Sequence, residues 1–95
     1  MKVRILGAHN CETREYGHTC FVVDDILAVD AGSLTSNLSL EEQNRLQALI
    51  LSHRHYDHIR DVTALSTNFY HSGTSVDLYT LPSLMQTAFN YILYI

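Results

Sequence analysis

The chain is poor in positive charge. Lys2, Arg4, Arg14, Arg45, Arg54 and Arg60 are its only lysines and arginines in 95 residues, and the net charge is −4 with histidines neutral. They are scattered and form no basic stripe, so nothing electrostatic points to nucleic acid. Two cysteines, Cys11 and Cys20, are too few for a disulfide framework. A reducing, cytoplasmic compartment is therefore the expectation. No signal peptide is expected, because residues 1–10 are strand-like and charged. No apolar run approaches a membrane span, so no membrane association is expected. Repeats, linkers and low-complexity segments are missing too. Apolar residues make up 46% and charged residues 17% of the chain. A single domain over 1–95 with a buried core is expected, not a disordered segment.

The order of elements alternates. Val3–Leu6 reads as a strand leading into the loop Gly7-Ala8-His9-Asn10, and residues 11–18 are polar and loop-like. Thr19–Val23 is β-branched and aromatic, a second strand. Asp24-Asp25 is a tight-turn signal, and Ile26–Val29 is its hairpin partner. Asp30-Ala31-Gly32-Ser33 ends that strand at a turn that glycine tolerates. Ser39 with Glu42 has capping-box spacing at the start of a short helix, where the amphipathic pattern is weak. Ala48–Leu51 is a buried strand. Asp61–Phe69 follows as helix, with Val62, Leu65 and Phe69 on one face. His71–Thr74 reads as loop and Ser75–Thr80 as strand. Pro82 opens a last helix as an N1 proline, with Leu84, Met85, Ala88, Phe89, Ile92 and Leu93 as its apolar face. Strands followed by β/α alternation make a layered α/β arrangement.

What the chain does have is His53-Arg54-His55-Tyr56-Asp57-His58, three imidazoles and a carboxylate in six positions directly after Leu49-Ile50-Leu51. These side chains bind zinc, iron or manganese. The cluster is internal and interrupted, unlike an expression tag. His53 and His55 are two apart, so an extended segment turns both rings to one side. A turn into helix near Asp57 would present Asp57 and His58 to a second position. Two metals held this way could bridge a water and make hydroxide at neutral pH. His9, Cys11, His18 and Cys20 superficially suggest another metal site. Their spacing matches no zinc finger, and ordinary loop and strand roles are the better reading, the alternative for His18 being to reach the mouth of the site from its loop.

The segment Leu49-Ile50-Leu51-Ser52-His53-Arg54-His55-Tyr56-Asp57-His58 resembles the signature of the metallo-β-lactamase superfamily. Val29-Asp30-Ala31-Gly32-Ser33 is similar to the strand-end Asp-x-Gly that precedes it. The resemblance implies the N-terminal half of an αββα sandwich, a mixed sheet with helices packed on one face. It implies His53 and His55 on a first metal and Asp57 and His58 on a second, with Asp57 also orienting the hydroxide or taking up a proton. Asp30 would brace the metal loop from behind. Arg54 and Tyr56 would flank substrate or be solvated. The cofactors implied are two divalent ions, zinc first, with manganese or iron as alternatives.

Within the superfamily, Gly7-Ala8-His9-Asn10-Cys11 and the stretch from Tyr79-Thr80-Leu81-Pro82 to Phe89-Asn90-Tyr91-Ile92 are similar to class II cyclic-nucleotide phosphodiesterases. A metal-dependent hydrolase of phosphodiester or other small-molecule type is thus implied. Nucleic acid stays open as a substrate without being indicated by charge. The family is about twice as long or more, and its further ligands lie downstream. Here His71 alone follows His58 among histidines, and no aspartate follows Asp77. The alternative reading is a non-catalytic, truncated fragment or subunit that folds only with a partner and keeps the metal motif. Either way a homo-oligomer or a complementing chain is expected, because half a sandwich leaves a sheet face uncovered.

Overall fold

The computed structural model describes residues 1–52 and 55–83. Its frame is a five-stranded sheet in sequence order: β1 (Val3–Gly7), β2 (Cys20–Val23), β3 (Leu27–Val29), β4 (Ala48–Ile50) and β5 (Asp77–Tyr79). β1 to β3 pair antiparallel, whereas β3–β4 and β4–β5 are parallel. Parallel neighbours require crossovers. α1 (Leu40–Asn44) lies between β3 and β4, and α2 (Tyr56–Ile59) and α3 (Val62–Ser72) lie between β4 and β5.

The turn after β2 is the one expected at Asp24-Asp25. Both residues have positive φ, 52° and 63°, and Ile26 N–H closes the turn on the Val23 carbonyl at 3.1 Å. Two successive positive φ values are what a type I′ hairpin turn needs, and aspartate tolerates them. Asp24 also accepts the Lys2 backbone N–H at 2.7 Å, which ties the turn to the start of β1.

The strands alternate cleanly between two environments. Cys20, Val22, Ala28 and Leu49 are buried on one face, where Leu34, Leu38, Leu46, Leu51, Ile59, Val62, Leu65 and Phe69 pack over them. The α2–α3 segment supplies four of these side chains, so the helical layer covers this face. Cross-strand register places Val3, Ile5, Phe21, Val23, Leu27, Val29, Ile50 and Tyr79 on the other. There Ile5 is 65% and Tyr79 57% exposed.

The capping box at α1 is present in full. Ser39 Oγ accepts the Glu42 N–H at 3.1 Å, and Glu42 Oε1 accepts the Ser39 N–H at 2.9 Å. The helix buries Gln43, which gives Nε2 to the Leu38 carbonyl at 3.0 Å and takes Asn68 Nδ2 of α3 at 2.8 Å. Leu40, by contrast, is exposed. The short helix is therefore held by polar bonds to its surroundings, which is why its apolar periodicity is weak. α3 runs further than expected. It takes in His71, read from sequence as loop, and ends where Gly73 adopts φ 69° and gives its N–H to the Phe69 carbonyl. The left-handed glycine is the stop signal. The last helix read from Pro82 onward lies, beyond Ser83, outside the described residues.

Glu42 carries the clearest electrostatic signature. The Ser39 backbone N–H and, next, Arg4 at 2.5 Å hold its carboxyl down to about 2. A depressed carboxylate stabilises the fold above its ordinary range and loses that contribution as pH falls through its folded value. Urea midpoints measured from pH 5 down to pH 2 should therefore fall more steeply in wild type than in E42Q. Parallel profiles would contradict the assignment. At the opposite extreme, burial pushes the Cys20 thiol up to about 12. In native protein, iodoacetamide should modify exposed Cys11 readily and reach Cys20 only after unfolding.

Candidate metal centre

β3 ends at Asp30, and the chain reverses there in an unusual way. Asp30 has φ 61°, a left-handed conformation few non-glycine residues adopt. The positive φ thus falls on the aspartate and not on Gly32, contrary to the expectation that glycine makes this turn. Three donors converge on the Asp30 carboxylate. Oδ1 accepts the Ser52 backbone N–H at 2.7 Å, and Oδ2 accepts Ser52 Oγ–H at 2.7 Å and His58 Nδ1 at 2.7 Å. The backbone adds three more ties. Asp30 N–H donates to the Ile50 carbonyl, Ala31 N–H to that of His58, and Asp61 N–H to that of Ala31, each at 2.7 Å. The left-handed turn at Asp30 is thus fixed by partners on both its side chain and its backbone.

This bracket grips both ends of the histidine segment. Ser52 precedes it, and His58 lies in α2 at its far end. The Asp30 acceptor places a proton on Nδ1, so that in the neutral ring Nε2 is the nitrogen that carries the lone pair. That nitrogen lies 3.4 Å from Asp57 Oδ2. A nitrogen and a carboxylate oxygen therefore converge, the donor pair that suits a divalent cation. His55 precedes α2, its carbonyl accepts the His58 N–H at 2.9 Å, and its side chain is exposed. His53 and Arg54 lie outside the described residues. No three His, Cys, Asp or Glu side chains gather at one point among the described residues. Tyr56 is exposed, as a substrate-flanking or solvated residue would be.

Gly32 has a steric role. A Cβ there would lie 2.0 Å from the Asp57 carbonyl oxygen and 2.5 Å from His18 Cβ. Only a residue without a side chain lets the loop after β3 pass between β2's approach and α2. Sequence reasoning did not separate this from turn formation. Of the two roles left open for His18, an ordinary loop residue or one reaching the mouth of the site, the structure shows a ring buried against this loop with Tyr56 edge-on at 6.1 Å, and among the described residues its Nδ1 has no hydrogen-bond partner. Ser52 stands within the signature segment, but its pair of hydrogen bonds to Asp30 has no pattern in the sequence. His71 lies exposed at the end of α3 and joins no cluster among the described residues.

The order and pairing of these elements match a solved structure. The metallo-β-lactamase fold protein YhfI from Bacillus subtilis superposes with a TM-score of 0.76 and 26% identity, covering 93% of this chain. The chain has the N-terminal part of a metallo-β-lactamase fold. It spans 40% of the length of YhfI. No protein-family model matches the chain, and no curated protein gives a significant match. In this metallo-β-lactamase-fold chain the sheet is mixed and the α2–α3 layer, among the described residues, packs on one face, as the sequence resemblance implied.

Two variants test the bracket. D30N keeps the shape of the carboxylate but weakens its grip on Ser52 and His58, and urea denaturation should show a loss of about 1–3 kcal/mol, an unchanged midpoint contradicting the bracket. G32A should destabilise by about 1–3 kcal/mol from overpacking, read by urea denaturation. A G32A protein of wild-type stability would contradict the close approach.

Proposed function

We propose that this chain forms the metal-bearing part of a metal-dependent hydrolase, with phosphodiesters as its substrate class. The observation that carries the reading is the Asp30 bracket, which leaves His58 Nε2 facing the Asp57 carboxylate. His53 and His55 would hold one divalent ion, and Asp57 and His58 a second. Zinc is the first choice, with manganese or iron as alternatives. A bound divalent ion would lower the pKa of a water and polarise a phosphoryl oxygen. The chain's own residues do the rest. Asp30 keeps the His58 ring in one tautomer and one orientation, and Ser52 locks the entrance of the segment. Asp57, 21% exposed at its side chain, would accept a proton from the attacking water or orient it. A cytoplasmic site fits two unpaired cysteines, one of them fully buried.

A second reading has its own support. The outer sheet face is apolar and exposed, with Val3, Ile5, Ile50 and Tyr79 on it. A chain with this face uncovered would be a fragment or subunit that needs a second copy or a complementing chain. It would keep the metal motif without turnover by itself.

The test is hydrolysis of bis(p-nitrophenyl) phosphate by the full chain, purified without chelator and supplied with zinc or manganese. Turnover that EDTA abolishes and that D57N lowers by about 100-fold or more is expected. Metal-independent turnover, or turnover unchanged in D57N, would sink the proposal. Absence of both turnover and retained metal would favour the second reading.

A further inference from the structure

The loop joining β1 to β2 is closed on itself. His9 N–H donates to the Gly17 carbonyl at 3.1 Å and Thr13 N–H to that of Tyr16 at 2.9 Å. Thr13 Oγ accepts the N–H groups of Glu15 and Tyr16 at 3.2 and 3.1 Å, and the His9 and Tyr16 rings lie 4.4 Å apart. Beneath it is a cavity of about 280 Å³ bordered by Glu12, Arg14, Tyr16, Ser36, Asn37 and Arg60. Packing alone therefore does not hold residues 11–16 down. Among the described residues, their polar tie to the rest of the molecule runs through Glu12. Its carboxylate is ion-paired with Arg60, the residue directly after α2, and lies 3.8 Å from His18 Nε2. Arg60 Nε lies 3.8 Å from Asp61 Oδ1, and Asp61 Oδ2 accepts the Thr35 N–H at 3.0 Å.

We propose that Glu12 and Arg60 are positioning residues for the metal-bearing segment. Their ion pair docks the β1–β2 loop onto the end of α2 and helps hold Asp57 and His58 in place. α2 is a single four-residue turn with no side-chain cap. So short a helix does not persist without outside contacts. The His58 end is fixed through Asp30 and Ala31, and the Arg60 end through Glu12 and Asp61. The metal role of the pair rests on the reading that α2 carries ligands, but the docking itself does not. The pair is half-exposed, with side-chain exposures of 45% and 29%, so its grip should weaken as salt rises.

The test is hydrogen exchange by mass spectrometry on the full metal-free chain, for wild type, E12Q, R60Q and the double variant. Each single change should speed exchange of residues 55–61 by about threefold or more, while β2 to β4 keep their protection. The double variant should be no faster than either single one, since residues acting through one shared contact are not additive. Unchanged exchange at 55–61, loss of protection throughout the sheet, or additive effects would overturn the docking. A cobalt(II) titration followed by visible absorption supplies the second arm, and E12Q should weaken binding by a similar factor. Weaker α2 protection with unchanged cobalt affinity would overturn the positioning role. If wild type binds no cobalt, the metal reading fails with it, and the exchange data still decide whether the loop is docked.

Discussion

One buried carboxylate organises this molecule. Asp30 takes three hydrogen bonds from Ser52, just before the histidine segment, and His58, at its far end, and its backbone sits in the left-handed conformation that turns β3 into this loop. Leaving a buried carboxylate unpaired would cost several kcal/mol, so the segment and the aspartate stabilise one another. β3 and β4 are parallel neighbours, which brings their ends, Asp30 and Ser52, to the same edge of the sheet. The site is thus a consequence of the crossover between β3 and β4 as much as of its own residues.

Much of this is legible in the chain. Asp24-Asp25 and Ser39 with Glu42 act within a few residues of themselves, and both form as their patterns imply. The role of Asp30 follows from a resemblance, and the three donors around it agree with it. What stayed hidden depends on residues far apart. Glu12 and Arg60 are separated by 48 positions, and no local pattern joins them. Gly32 reads as a turn glycine, yet the turn conformation belongs to Asp30, and Gly32 serves to let Asp57 and His18 approach. His71–Thr74 reads as loop in the sequence, but α3 continues through Ser72 until Gly73 turns left-handed.

The two faces of the sheet tell the same story at a larger scale. The helix-covered face carries the core, and the site stands at its edge where Ala31, Ile59 and Asp61 are buried. The other face is apolar by the same strand alternation and is not covered by any described helix. A segment that spans 40% of the length of YhfI can therefore shape one side of a site while leaving open what closes the other.

The state of the His58 ring tests this account most directly. Long-range nitrogen–proton correlation spectra of the metal-free chain report which ring nitrogen carries the proton. For the neutral ring, read at a pH where the spectra show one ring proton, the account predicts the Nδ1–H form, with Nε2 showing the shift of an unprotonated nitrogen, and loss of that preference in D30A. An Nε2–H ring in wild type, or a preference unaffected by removing Asp30, would contradict it.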